Sequence, residues 1–374
     1  MELRTRDPEL REPGAAVRSR GPLLRRAPRA ASGSAGGWKA RAGTCRVWLL
    51  VAIVALSGCG RRPTLAHALA DHEFWSLIET LSEPAGAFAV SDNLVSNEPH
   101  VAENARWLRP GRGVYIGVGP EQNFSYIAAM RPRLAFIIDI RRENLALHLL
   151  YKALFELSAD RADFVSRLFS RPTAADAGPE VDVDDLFRRL DRAAPSLERY
   201  NSTVARVREH LTLTHRFPLS SADLESIATA LKAFYTDGPE IQFWGSRIVD
   251  ANHPSYRALM TMRDLSGQTR SFLASAESFR VVRDLHMRNA IVPVVGDFGG
   301  PRAMRRVGDY VRTHRATVDA FYASNVAVYL TERQARAFCG NLASLPAASH
   351  AVFIESIGVR PLRAKLKGCA PDQR

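Results

Sequence analysis

Gly113-Val114-Tyr115-Ile116-Gly117-Val118-Gly119-Pro120-Glu121-Gln122-Asn123 is followed, one helix length later, by Leu134-Ala135-Phe136-Ile137-Ile138-Asp139. The first apolar run is short and ends in glycines. The second is unbroken and ends in an acid. Unbroken runs of this kind suit strands buried on both faces of a parallel sheet. Between the two runs, Gln122 to Met130 leaves room for a single helix. The unit is therefore strand, tight turn, helix, strand, of the nucleotide-binding kind. The glycines let the backbone turn sharply and approach a ligand, and the helix start supplies free N–H groups. Asp139 lies 20 residues past Gly119. A carboxylate there can accept both hydroxyl hydrogens of a ribose.

Working outward, residues 71–81 place Phe74, Trp75, Leu77, Ile78 and Leu81 at helical spacing, which predicts an amphipathic helix. Ser91 to Glu98 reads as a polar loop. In it Asp92, Asn97 and Glu98 either line a pocket or cap the helix predicted over Val101 to Leu108. Pro110 and Gly111 stop that helix. Downstream, Leu147, Leu150, Leu154 and Leu157 predict one long helix from Glu143 to Phe169. Residues 170–195, rich in Ala, Pro and Asp, read as a flexible loop. Ser220 with Asp223 three residues on signals a capped helix start. The sheet resumes with Ala290 to Asp297. A helix (Ala303 to Arg315), a strand (Ala316 to Tyr322, leading into Ser324-Asn325), a helix (Thr331 to Asn341) and a last strand (Ala351 to Ile354) follow. The expected fold is a three-layer α/β domain with a mostly parallel sheet. Its halves are residues 71–144 and 286–374, and residues 145–285 form a mostly helical insertion. No internal repeat is visible.

The N-terminal region has its own signature. Val47 to Leu56 is a 10-residue apolar run. That is short of the roughly 20 residues a spanning helix needs and within the roughly 7–15 of a signal-peptide core. Lys39, Arg41 and Arg46 precede it, and Leu56-Ser57-Gly58-Cys59 follows. The pattern resembles the lipobox of bacterial lipoproteins. It implies a leader over 1–58, lipid on Cys59, a tether over 59–70 and an exported chain anchored to a membrane. Gly60 after the cysteine implies the periplasmic face of the outer membrane. Residues 1–58 carry 11 Lys and Arg and 4 Asp and Glu, so residues 59–374 keep only +5 of the chain's +12. The basic balance belongs largely to the leader, and no nucleic-acid partner is expected. Cys339 and Cys369 remain as two thiols that an oxidising compartment could pair. The ten histidines form no His-x-x-x-His or His-x-His pair, so no metal site is expected.

The strand-end motifs resemble the class I S-adenosylmethionine-dependent methyltransferase fold. The matching parts are the Gly117/Gly119 loop, Asp139, Gly296-Asp297-Phe298 and Phe321 to Val326. The resemblance spans roughly 90–140 and 288–355. More narrowly, the chain after the leader is similar to a family of bacterial lipoproteins with a methyltransferase-like domain. The similarity implies a Rossmann-like topology with S-adenosylmethionine, or another small nucleoside, as ligand. Gly117, Gly119, Glu121 and Asn123 would border its charged end, Asp139 its ribose, and Asp297 with Phe298 its adenine. Ser324, Asn325 and Tyr329 would face the acceptor as the catalytic set. The chain departs from the family pattern at Tyr115, where an acid is usual, and at Glu121, where a third glycine is usual. Those two positions favour a second reading, a non-catalytic envelope scaffold or sensor with a degenerate pocket. There is no Gly-x-Ser-x-Gly elbow and no Walker loop, so hydrolase and NTPase readings lack a motif. Phe243, Trp244, Tyr256 and Phe272 are expected in the core, with a ligand cleft as the alternative.

Overall fold

In the computed structural model, residues 64–86, 88, 93–172, 181–243 and 253–369 are described. Residues 1–58, where a leader is expected, and Cys59, Asp92 and Trp244 lie outside them. Six strands form one sheet: β1 (Val114–Gly117), β2 (Leu134–Asp139), β3 (Ile291–Val295), β4 (Val318–Ser324), β5 (Ala347–Glu355) and β6 (Val359–Pro361). Their order is β3-β2-β1-β4-β5-β6. The first five are parallel to their neighbours, and β6 runs antiparallel to β5. Every residue of β1, β2 and β3 is buried. Alternate side chains of a strand point to opposite faces, so this sheet is covered on both. That accounts for the unbroken apolar runs and for the α/β layering.

The helices before the long connection are α1 (Asp71–Leu81), α2 (Val101–Arg106) and α3 (Gln122–Met130). Between β2 and β3 come α4 (Arg142–Leu157), α5 (Arg161–Leu168), α6 (Val183–Asp191), α7 (Leu197–Glu209), α8 (Ser221–Asp237), α9 (Tyr256–Thr261) and α10 (Ala276–Met287). Later come α11 (Ala303–Thr313), α12 (Glu332–Ala343) and α13 (Leu362–Lys367). The bounds 145 and 285 read from the sequence fall inside α4 and α10. The reason is packing: α4 lies against β2, β3, α8 and α10 at once. Asn144 through Phe155 are all buried, the state of a helix covered all round. One apolar core runs from the strands to Leu186, Phe187, Leu231 and Phe234 of the helical connection.

Two expectations are corrected. The single helix over 143–169 is two, α4 and α5. The Ser158 hydroxyl donates to the Leu154 carbonyl at 2.6 Å, and the Asp160 carboxylate accepts the Asp163 amide at 2.8 Å, starting a new helix. The loop expected over 170–195 contains α6. Asp182 caps it through the Asp184 amide, and Val183, Leu186, Phe187 and Leu190 bury one helical face. Strand β6 was not expected from the sequence. It follows Gly358, whose φ of 102° turns the chain back on β5.

Cys339 within α12 and Cys369 beyond α13 form a disulfide. Among the described residues no helix is long and apolar enough to cross a membrane.

Candidate functional site

Parallel pairing aligns the strands so that Gly117, Asp139, Val295 and Ser324 end at one edge of the sheet. The strand order reverses between β1 and β4, because β1 connects onward to β2 on one side while β4 continues to β5 on the other. In open α/β sheets such a switch point leaves a crevice outside the carboxyl ends of the strands. A cleft of about 950 Å³, its open mouth included, occupies this place. Val118, Gly119, Pro120 and Gln122 line it after β1, and Asp139, Ile140 and Arg141 after β2. Gly296, Asp297 and Phe298 line it after β3, and Ser324, Asn325, Val326 and Tyr329 after β4. Phe88, Asn93, Ser96, Asn97, Phe243 and Gln334 add to the wall.

The glycine loop divides between wall and foundation. Gly119 has φ of 77°, a conformation that costs a residue with a Cβ more than it costs glycine, and it lines the cleft. Gly117, Glu121 and Asn123 do not line it. A Cβ on Gly117 would meet the Asn123 Oδ1 at 2.0 Å and the Tyr115 Oη at 2.7 Å. Tyr115 donates to Asn123 Oδ1 at 2.8 Å. Asn123 Nδ2 donates to the carbonyls of Val118, Gly119 and Pro120 at 2.9, 3.1 and 2.8 Å. Gly117 is thus required for close packing behind the loop, and Asn123 staples the loop to α3. These three residues, expected to border the ligand, stand behind the loop and outside the lining of the cleft.

Buried titratable groups support the loop. His148 Nε2 lies 2.9 Å from the Gly119 carbonyl. Burial lowers its pKa to about 4, so the ring is neutral at pH 7 and donates through Nε2. Glu121 is fully buried and accepts the Ser96 amide at 3.1 Å. Its second oxygen has no partner, and burial pushes its carboxyl up to about 7.

After β2, Asp139 accepts the Arg141 Nε and Nη2 at 3.0 Å each and the Arg141 amide at 2.9 Å. Both side chains are buried. A carboxylate has roughly four lone-pair positions. Arg141 fills three, so about one remains for a ligand where the sequence reading expected two. After β3, Glu83, two residues past α1, accepts the Asp297 and Arg302 amides at 2.8 and 3.2 Å. Asp297 in turn accepts the Gly299 amide at 2.8 Å. Phe298 stacks on Phe338 and leans on Phe321.

After β4, Ser324 takes a left-handed φ of 51°. Such strain in a residue with a side chain persists where its surroundings fix it. Here the Ser324 hydroxyl donates to Glu98, which also accepts Ser356 Oγ at 2.9 Å and Tyr322 Oη at 3.1 Å. Burial raises the Glu98 pKa, and one of its oxygens is unpartnered. Tyr329 is half exposed and meets Phe88 edge to face at 5.1 Å. Of the polar loop residues, Glu98 therefore supports Ser324 from behind, while Asn97 reaches the cleft. Tyr256 and Phe272 are core residues.

The profile described as Domain of unknown function (DUF7790) matches residues 93–369. The chain belongs to that family. The match includes every lining residue of the cleft except Phe88, together with both disulfide cysteines, and it leaves out α1. No curated protein matches the chain.

Proposed function

We propose that the protein is an exported lipoprotein whose domain has methyltransferase-like topology and binds a nucleoside-bearing ligand of the S-adenosylmethionine kind. The observation that carries this reading is the cleft. It lies at the switch point of the sheet and gathers Gly119, Asp139, Asp297, Phe298, Ser324, Asn325 and Tyr329 on one wall system. In this reading Asp139 accepts one ribose hydroxyl and Phe298 offers an apolar edge to the base beside Asp297. Ser324, Asn325 and Tyr329 orient the acceptor. The ligand, when bound, supplies a methyl group on a sulfonium. Transfer from it is an in-line displacement, in which positioning carries much of the rate. The disulfide supports the export half of the proposal, since such bonds persist in oxidising compartments.

A non-catalytic scaffold or sensor is the second reading. It is favoured by the Arg141 grip on Asp139 and by Glu121 packed where the glycine loop of a transferase stays open. Calorimetric titration of the purified protein with S-adenosylmethionine and with NAD separates the two. Binding of S-adenosylmethionine, weakened by about ten- to a hundredfold in Asp297→Ala, is the expected result; hydrogen bonds to a charged group contribute roughly 1.5–3 kcal/mol. Absence of any nucleoside binding by the parent protein leaves the scaffold reading. Asp139→Ala is a poorer probe than the sequence suggests, because it strands a buried guanidinium. For the anchor, Cys59→Ser is expected to abolish labelling by a fatty-acid analogue, and equal labelling of parent and variant would sink that half of the proposal.

A further inference from the structure

Helix α4 begins beside the cleft and ends in a different cluster. At 1.5 Å per residue, Glu156 lies roughly 21 Å along the axis from Arg142. Its Oε2 is 2.7 Å from His210 Nε2 and 2.7 Å from His215 Nε2. The three candidate ligand atoms all lie within 4.8 Å of one another. The Glu156 side chain is 4% exposed and the two imidazoles 18% and 12%.

The backbone is shaped to produce this convergence. His210–Thr214 is a single π-helical turn at the end of α7, closed by the His215 amide donating to the His210 carbonyl at 3.0 Å. In an α-helix, residues five apart point about 140° away from each other. The i→i+5 turn stacks them instead, and π-turns of this sort gather at functional sites. The imidazole of His215 is clamped further. It stacks on Phe217 at 4.9 Å, and Phe217 stacks on Trp75 at 5.5 Å.

Second contacts settle which atoms face inward. His215 Nδ1 lies 2.8 Å from Asp71 Oδ1, which also accepts Asn289 Nδ2 at 2.9 Å. A carboxylate accepts only, so without metal both His215 nitrogens donate, Nδ1 to Asp71 and Nε2 to Glu156; an ion takes the place of the Nε2 proton and leaves Nδ1–H on Asp71. A carboxylate on the far nitrogen of a histidine is the usual orienting partner of a metal ligand. Lys152 holds Glu156 Oε1 at 2.5 Å, which leaves Oε2 as a single-oxygen donor. A groove lined by Asp71, Trp75, Thr214, His215 and Phe217 opens beside the cluster and gives an ion a way in.

We infer that Glu156 Oε2, His210 Nε2 and His215 Nε2 form a binding site for one divalent transition metal of the zinc class. Asp71 orients His215, and water from the groove fills the fourth position. Two imidazoles and one carboxylate suit zinc, cobalt or nickel and do not suit calcium or magnesium, which take oxygen ligands. Tetrahedral metal–ligand bonds of about 2.0–2.2 Å put neighbouring ligand atoms about 3.3 Å apart, so the His–Glu separations open by roughly 0.6 Å when the ion enters. The bound ion ties the start of α1 to α4 and α7.

The test uses untagged protein treated with chelator and titrated with zinc by calorimetry and with cobalt by visible absorption. One metal per chain, the d–d bands of four- or five-coordinate cobalt, and a melting temperature raised by zinc are expected. His210→Ala should weaken zinc binding by at least about a hundredfold, and Asp71→Asn by about ten- to a hundredfold. No zinc uptake by the parent overturns the site, as does a His210→Ala variant with parental circular dichroism that binds zinc within threefold of the parent. If the alanine variant does not fold, the cobalt spectrum decides: a parent protein without the d–d bands overturns the site.

Discussion

Glu121 is packed beneath the glycine loop with one carboxyl oxygen on the Ser96 amide and the other unpartnered. Its folded pKa, about 7, stands above the usual carboxyl value of 4.5. The folded state therefore holds its proton to higher pH than the unfolded chain does, and stability falls as pH rises from about 4.5 to about 7. The full effect is on the order of 3 kcal/mol at most. His148 works in the opposite sense. Its pKa is lowered from 6.5 to about 4, so stability falls as pH drops through that interval. Glu121→Gln removes the first effect and keeps an oxygen for the Ser96 amide. Relative to the parent, the variant should gain stability at pH 8 and gain little at pH 5, as read by urea denaturation. An unchanged difference between the two pH values in the variant would refute the assignment. The cleft residues that follow strand ends, Asp139, Asp297, Phe298, Ser324 and Asn325, are legible in the sequence because an apolar run ending in a polar turn marks the edge of a sheet. Gly117, Glu121 and Asn123 stand behind the loop because Tyr115 holds the Asn123 side chain and the Ser96 amide holds Glu121, contacts between distant positions that spacing does not encode. The grip of Arg141 on Asp139 and the support of Ser324 by Glu98 depend on side-chain geometry that spacing does not encode.

Helix starts show how far local chemistry can be read. Ser220 accepts the Asp223 amide at 3.1 Å, and Asp223 accepts the Ser220 amide at 3.0 Å, a capping box visible as two residues three apart. Asp160 and Asp163 carry a similar signal, yet the apolar spacing of Leu147 to Leu157 resumes at Phe164, Val165 and Leu168 and masks the break between α4 and α5. Helix α6 was missed because its Asp-rich composition outweighed the spacing of Val183, Leu186, Phe187 and Leu190. Strand β6 is three residues long, too short for a period of two to register. The capping box has a tertiary consequence as well. Arg142, the first residue of α4, binds both Asp223 oxygens at 2.7 and 2.8 Å, so the head of α8 is tied to the helix that begins beside the cleft. Ser220→Ala should cost about 1 kcal/mol in urea denaturation, while Arg142 keeps Asp223 in place. A loss several times larger would mean that the hydroxyl anchors more than the helix end.

At the scale of the molecule, the sheet and the helical connection share one core, and the C-terminal segment is held to it by a covalent bond. The disulfide joins positions 30 residues apart, spanning β5, β6 and α13. Strand β6 is short and mostly exposed, and α13 buries only Leu362, so apolar burial alone secures this segment weakly. Closing a loop of that length lowers the entropy of the unfolded chain, and a contribution of roughly 3–4 kcal/mol is expected where the native geometry is unstrained. The double variant Cys339→Ser/Cys369→Ser should lose stability of that order. Its amide-exchange protection should fall first in β6 and α13, while β1 to β3 keep theirs. A thiol reductant should lower the melting temperature of the parent and leave the double variant unmoved. Protein recovered after export should show no free thiol at these two positions, and protein made in a reducing cytoplasm should show both. Equal thiol reactivity in the two preparations would detach the bond from export, and equal stability of parent and variant would show that packing alone holds the C-terminal segment.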